Sequence, residues 1–329
     1  MEKNIIISSR IRLARNIDGQ FFTDKIDNKS AISLLSDVFN SLGDDFTCLK
    51  TKEISNEDKE SYIEKHLISK DLLDHANISG VALSEDSSVS IMVNEEDHIR
   101  LQCILDGLNL KKAYDIINDI DTELSSNLNY AFDKKLGYIT ACPGNLGTGM
   151  RASVMMFLPA LTMTNNIGKV ANSIGKMGLC IRGAYGEGTG ALGDLYQISN
   201  QSTLGKSEVE IIQIVESTVL KVVDLEKEAR ERLMEIKGDE IYDNAMRAYG
   251  ILTNCYKLSS REFLNYVSTL KLGIGVGVIK VIDEKIVNDL FSSVMPATLN
   301  KLAGRILSEE DRDKYRAQYV NEILKDTKI

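Results

Sequence analysis

Five arginines constrain this chain most: Arg10, Arg12, Arg100, Arg151 and Arg182. Each sits in a distinctive local frame, and the frames are far apart in sequence. Arg10 and Arg12 lie in Ser8-Ser9-Arg10-Ile11-Arg12, and Arg100 closes Asn94-Glu95-Glu96-Asp97-His98-Ile99-Arg100. Arg151 follows Cys142-Pro143 in a run ending Met150-Arg151-Ala152-Ser153, and Arg182 opens Arg182-Gly183-Ala184-Tyr185-Gly186-Glu187. A guanidinium keeps its proton in water and presents a rigid fork of donors that matches phosphate oxygens. A fold that gathers these five charges makes a polyphosphate clamp. Glu96 and Glu187, in the same frames, add two carboxylates, a pairing that suits a guanidinium partner.

The balance of the chain sharpens this reading. A net charge of −9 argues against a broad nucleic-acid surface, so a concentration of cations in one place stands out. With 43% hydrophobic and 26% charged residues, the 329-residue chain has the make-up of a soluble globular protein of about two domains. No apolar run reaches the roughly 18 residues of a membrane helix. The apolar start, Ile5-Ile6-Ile7, is too short for a secretory signal, which predicts a cytoplasmic protein with no membrane partner. The five cysteines (48, 103, 142, 180, 255) have no CxxC spacing and the three histidines are dispersed, so neither a metal site nor a disulfide framework is expected. Cys48, Cys103, Cys180 and Cys255 read as core, and His98 as a structural hydrogen-bonding residue.

Apolar periodicity predicts a strand at residues 4–8 and helices at Ser30–Leu42, capped by Ser30, and at Glu57–Leu67. Gly80–Ser84 and Ser88–Val93 read as an antiparallel hairpin. Leu110–Leu128 is an amphipathic helix, Gly137–Cys142 a strand and Ala152–Met163 a buried helix. Leu179–Arg182 and Leu195–Ser199 are strands enclosing a glycine-rich loop, whose glycines at 186, 188, 190 and 193 suit a mobile lid. Hairpins separated by helices predict an α+β fold with an antiparallel sheet. Beyond Ser207 the chain becomes helical, beginning with a charged stretch from Glu208 to Lys237. The expected division is residues 1–228 and 229–329.

Two glycine motifs mislead. Gly188-Thr-Gly190-Ala-Leu-Gly193 fits a dinucleotide fingerprint but is followed by a strand, not a helix. Gly144-Asn-Leu-Gly-Thr-Gly149-Met-Arg has Walker-like glycines, with Met150 where the phosphate-binding lysine belongs.

Taken together, Ser-Ser-Arg-Ile-Arg, Val-Asn-Glu-Glu-Asp-His-Ile-Arg, Cys-Pro-Gly-Asn-Leu-Gly-Thr-Gly-Met-Arg-Ala-Ser, Arg-Gly-Ala-Tyr-Gly-Glu and the run from Ile198 to Glu208 resemble the phosphagen (guanidino) kinases. They occur in family order across roughly residues 5–225. The resemblance implies ATP as donor, with Mg2+ held mainly by the nucleotide and water. It places Arg10, Arg12, Arg100, Arg151 and Arg182 around the phosphates. Ser8, Ser9, Ile11, His66, the stretch Ala152, Ser153, Val154, Met155 and the stretch Gly183, Ala184, Tyr185, Gly186, Glu187 would complete the nucleotide site. Glu96 and Glu187 would grip the acceptor guanidinium, with Glu96 as base. Cys142 corresponds to the family's active-site cysteine, with its thiolate favoured by nearby arginines. Gly144 departs from the threonine that the family often carries there.

Creatine and arginine kinases carry a helical domain ahead of the first arginine frame that encloses a small substrate. Here nine residues precede Arg10, which predicts an open acceptor site able to admit an arginine side chain on a polypeptide. The chain also continues past the catalytic block and contains Arg312-Asp313-Lys314-Tyr315-Arg316-Ala317. Both features are similar to the bacterial McsB-type protein arginine kinases, where an R-D-x-x-R-A motif forms an allosteric phosphoarginine pocket. At i, i+4, Arg312 and Arg316 would share one helix face and one phosphate. That family further implies a homodimer through the helical domain, an McsA-like activator, and protein substrates with exposed arginine, delivered to a Clp protease. Two alternatives remain at this point: a kinase for free arginine or another small guanidino compound, and a non-catalytic phosphoarginine reader.

Overall fold

The computed structural model describes residues 2–184, 191–280 and 284–325. Its strands are β1 (Ile6–Arg15), β2 (Phe46–Lys50), β3 (Gly80–Ser84), β4 (Val89–Val93), β5 (Ile99–Asp106), β6 (Phe132–Asp133), β7 (Gly137–Tyr138), β8 (Met150–Phe157), β9 (Leu179–Gly183) and β10 (Leu195–Asn200). Eight of them form one sheet in the order β2-β3-β4-β5-β1-β8-β10-β9, and β6 pairs with β7. Every pairing is antiparallel, as the hairpin pattern predicts.

Register decides what each face of this sheet presents, because directly opposed residues project to the same side. On β1, Ile11 and Leu13 point one way, and their partners Cys103, Leu101, Ala152 and Met150 do likewise. That face is the core. It packs with Val154 and Ile198 against Leu110, Ala113, Ile117 and Leu124 of the helix Leu110–Asn127 and against Val215 and Val219 of the helix Glu208–Asn254. The other face carries the polar set described below. Towards its far end it turns apolar again at Phe157 and Leu195, and there the C-terminal helices cover it with Phe263, Leu264, Leu290 and Phe291.

Several elements differ from the periodicity reading. Met150–Phe157 is the strand β8, and the helix begins only at Pro159, running to Met163. Met150 to Phe157 alternates, with Arg151, Ser153 and Met155 on one side and Ala152, Val154 and Met156 on the other. Proline suits the first helical position. The helix at 30 starts earlier, at Asn28, and Asp27 rather than Ser30 caps it, accepting from the Lys29 and Ser30 amides. The second helix ends at Glu64, the strand at 137 stops at Tyr138, and β1 runs through the first arginine frame instead of leading into it. The helix from Glu208 has the Ser207–Glu210 capping box and continues past Lys237, where its backbone kinks (φ −135, ψ 27), to Asn254.

A buried polar network ties the amino terminus and the helix Ser260–Gly275 to this framework. Glu226, fully buried, accepts from the Ala160 and Leu161 amides at 3.1 and 3.0 Å, satisfying the first turn of the Pro159 helix. Arg230 donates to Glu226 at 2.8 Å and to Asn4 at 2.8 Å, and Asn4 donates to the Lys271 carbonyl at 3.3 Å. Removing one partner from such a pair strands the other's charge. Glu226→Ala should therefore cost about 3–5 kcal/mol, measured by urea unfolding. Burial, opposed by Glu284 and reinforced by Arg230, pushes the Lys271 ammonium down to about 7. The unfolded chain then holds a proton that the folded one has released between about pH 7 and roughly 10.4, so stability from this group rises with pH across that window. Comparing wild type with Lys271→Met by unfolding at several pH values should show that rise disappear.

Candidate active site

The polar face assembles all five arginines. Arg12 lies opposite Arg151 on β8 and Gln102 on β5, Arg10 opposite Ser153, Arg100 opposite Ala14, and Arg182 opposite Gln197 on β10. Since β10 pairs with β8 through Gln197 and Met155, these residues share one side of five adjacent strands. Arg10 donates to Gln197 at 2.5 Å and to the Ser153 hydroxyl at 3.4 Å. Arg151 donates to Ser199 at 3.2 Å and approaches Cys180 at 4.0 Å. The Nε atoms of Arg12 and Arg151 are buried and have no acceptor among the described residues. Buried donors are ordinarily satisfied, so this face is short of acceptors.

Charge tells the same story. Burial, then the charges of Arg100 and Arg151, bring the Arg10 guanidinium down to about 10. Burial, with the charges of Arg10, Arg100 and Arg151, holds Arg12 well below the ordinary guanidinium range, with Glu95 opposing. His66 borders the cluster, and desolvation in the cleft with Arg10 and Arg12 depresses its imidazole to about 4, leaving it neutral near pH 7. A polyanion bound here would relieve the repulsion and supply the missing acceptors.

The carboxylates come from the tight turn between β4 and β5. Asn94, at φ 57, donates to the Ala31 and Ile78 carbonyls and fixes the turn's entry. Glu95 is buried and pairs with Arg100, and it also accepts from Ser69 at 2.5 Å. Burial raises its pKa, but the Arg100 charge and these hydrogen bonds outweigh that and hold the carboxyl below its ordinary range. Glu96 is exposed at the turn's tip. Its carboxyl is raised by desolvation and by Asp97 and Glu95. Asp97 accepts from Asn16 at 2.6 Å and from the Ala141 amide at 2.7 Å, tethering the Cys142 segment beside the Glu96 turn. Cys142 is half-buried at the head of the Pro143–Asn145 turn.

A cavity of about 930 Å³ opens beside this face, bounded by Ser8, Arg10, His66, Ser153 and Met155 and, on the far side, by the helix Glu284–Ser293. That volume lies in the range of small-molecule and cofactor sites.

Comparison with known proteins decides what such a site belongs to. Residues 30–229 match the family model for the ATP:guanido phosphotransferase C-terminal catalytic domain, and residues 238–328 match that for the protein-arginine kinase McsB C-terminal domain. The chain is 44% identical over 330 residues to a protein-arginine kinase of Clostridium acetobutylicum, spanning 98% of this chain and 97% of the relative. It is 44% identical over 332 residues to a protein-arginine kinase of Geobacillus sp., spanning 98% and 91%. The chain belongs to the protein-arginine kinase family. Among solved structures, lombricine kinase superposes with a TM-score of 0.61 and 26% identity, covering 69% of this chain and 67% of that one.

Against that family background, the remaining site residues fall into distinct groups. Ile11, Ala152 and Val154 face the core with no exposed surface, and sheet pairing occupies their strands, so they frame the site without presenting side chains to it. Ser9 is buried too: its hydroxyl donates to the Gly107 carbonyl and accepts from the Asn109 amide, shaping the turn after β5. Gly183 and Ala184 are at the end of β9, whereas Tyr185, Gly186 and Glu187, with most of the glycine-rich loop, lie outside the described residues. Cys180, read from sequence as core, instead shares the polar face with Arg151 and sits 3.3 Å from the Ser199 hydroxyl. Cys48 is exposed, and Cys103 is buried as expected. The Walker-like glycines serve the backbone. Gly147 (φ 116) and Gly149 (φ 66) leave no room for a Cβ, which would meet the Thr203 carbonyl at 2.8 Å and the Ala14 carbonyl at 2.5 Å respectively.

The C-terminal motif departs from the expected two-armed clamp. Arg316 is 1% exposed, and donates to the carbonyls of Val294 and Leu258 and to Asp313 at 3.0, 2.7 and 2.7 Å. Arg312 donates to the Leu307 carbonyl at 3.2 Å. Ala317 is buried, while Lys314 and Tyr315 border a separate cavity of about 450 Å³. Arg316 thus braces the packing of the C-terminal helices, and the pairing of both arginines on one open face is not formed.

Sequence reading missed Glu95, Asp97 and Gln197 as organisers of the site. The Asp97 tether yields a test. Asp97→Ala should free the Glu96 turn from the Cys142 segment, lowering kcat by at least about tenfold while changing ATP affinity little. Steady-state kinetics with nucleotide-binding titration would separate the two effects.

Proposed function

We propose that this chain transfers the γ-phosphoryl group of MgATP to the guanidino nitrogen of arginine side chains in proteins. The observation that carries this reading is the set of five arginines on one sheet face, with buried Nε donors lacking acceptors, bordered by the Glu96 turn. The family matches and the names of the curated relatives support arginine in proteins as acceptor.

The chemistry follows from the charges. Magnesium enters with the nucleotide as part of the substrate, and the arginines bind phosphate oxygens. As the bond from Pγ to the β,γ-bridging oxygen breaks, its electron pair leaves on ADP. Negative charge on the transferring group is spread over oxygens that the guanidinium groups already face. The acceptor nitrogen forms the N–P bond and gives up a proton. A guanidinium with a pKa above about 12 is a poor nucleophile until that proton has a destination. Glu96 is that destination. Desolvation and its acidic neighbours raise its carboxyl, which makes it a better proton acceptor than an ordinary glutamate. In this reading Glu187 holds the other edge of the guanidinium, and Cys142 sits next to it.

Residues 1–228 are the proposed catalytic unit and 229–329 the helical unit. Residues 238–328 match the McsB C-terminal family, and we further propose a homodimer through that unit, an McsA-like activator and delivery of marked substrates to a Clp-type protease in the cytoplasm. Arg312 and Asp313 remain its proposed phosphoarginine contacts.

Incubating the protein with ATP and either unfolded casein or free arginine, then locating phosphate by mass spectrometry without acid, tests the acceptor. Phosphoarginine on casein is expected, and label on free arginine alone would overturn the protein-kinase reading. Glu96→Gln should lower kcat by about 10²–10⁴. Because the base works deprotonated, wild-type kcat/KM should fall as pH drops through the raised Glu96 pKa, and that acid limb should vanish in Glu96→Gln.

A further inference from the structure

The cleft beside the arginine face has two walls of different origin. One is the sheet, where Arg10 and Ser153 give way along β1 and β8 to Ile7 and Met155. From Arg10 to Ile7 is three residues, about 10 Å at the rise of a strand. The other wall is the helix Glu284–Ser293, which lies within the C-terminal region matched separately, at residues 238–328.

That helix is held firmly. Val287, Leu290 and Phe291 are buried in the second core cluster, and Phe291 stacks edge-on against Phe263 with centroids 6.4 Å apart. Phe291 also approaches Gly193 so closely that a Cβ there would lie 3.2 Å from its ring. Lys271 donates to the Asn288 side-chain oxygen at 2.6 Å, which fixes the amide's orientation. Asn288 is half-buried and lines the cavity wall, and with its oxygen engaged by Lys271 the amide nitrogen is its remaining polar group. At the cleft's edge Lys285 reaches across to Asp106 on β5 at 2.9 Å. Triphosphate at the arginine end leaves the rest of a nucleotide pointing into the apolar end. A purine, with apolar faces and hydrogen-bonding edges, matches a slot walled by Ile7, Met155 and Phe291 with one oriented amide donor.

We propose that the helix Glu284–Ser293 forms the nucleoside-side wall of the ATP site, with Asn288 donating to the purine ring. The proposal rests on the nucleotide reading of the cleft given above. The C-terminal region thereby contributes directly to donor binding, and displacement of this helix opens the nucleotide site.

The test compares ATP with tripolyphosphate, which carries the phosphate half alone, in wild type, Asn288→Ala and Ser292→Trp. Ser292 is exposed at the rim, so its replacement should narrow the cleft without disturbing the core. Loss of one hydrogen bond should raise KM for ATP by about 5–10-fold in Asn288→Ala, with the effect in KM rather than kcat. Ser292→Trp should also raise it. Inhibition by tripolyphosphate should be unchanged in both. If both variants fold and keep wild-type KM for ATP, the wall does not touch the nucleoside. Equal weakening of ATP and tripolyphosphate would show that the helix acts only through the fold, and would overturn the proposal. Tripolyphosphate that fails to compete with ATP in wild type would place the nucleotide elsewhere, and both readings would fall.

Discussion

Repulsion among five guanidinium groups held on one side of a sheet is the constraint that the rest of the molecule accommodates. The opposite side is close-packed and apolar, and its burial fixes the strand register. A one-residue slip of β1 would send Arg10 and Arg12 into the core and Ile11 and Leu13 into the cleft. Hydrophobic burial on one face therefore enforces electrostatic crowding on the other. Glu95, Gln197, Ser153 and Ser199 relieve part of that crowding but leave buried donors unmet. The unmet remainder is what the proposed polyphosphate would satisfy.

Much of this was legible in the sequence. Hairpins with short turns gave the antiparallel sheet, and the arginine frames marked the strands that build the site. The frames could not show that Arg151 lies inside a strand, because Val154 to Leu161 is apolar throughout and masks a change from period two to helix at Pro159. Side-chain direction was equally hidden. Within Arg151-Ala152-Ser153-Val154-Met155 every second residue turns to the core, a distinction that strand assignment alone would have supplied. Glu95 and Glu96 are adjacent and chemically identical, yet one is buried on Arg100 and the other is exposed. Only tertiary packing separates the structural carboxylate from the proposed reactive one. The Arg312 and Arg316 spacing was read correctly as helical. It could not reveal that Arg316 faces inward, because the carbonyls it braces come from loops distant in sequence.

Loops around the site are organised by single polar side chains rather than by secondary structure. Asp97 joins the first strand's end, the carboxylate turn and the Cys142 segment through two hydrogen bonds. Glu226 does the same for the Pro159 helix, the long helix and the amino terminus. These residues carry no chemistry of their own, and their sequence surroundings give no hint of their reach. Each works because burial makes an unpaired polar group costly, so the partners stay together.

The long helix Glu208–Asn254 runs from one hydrophobic cluster into the other, with Val215 to Ile241 in the first and Ala245 and Leu252 in the second. Phe157 and Leu195, from the sheet, belong to the C-terminal cluster. A cut anywhere along that helix would strip apolar cover from both sides at once. Evolution can alter the surface of either portion, but the seam between them has to change as a matched pair.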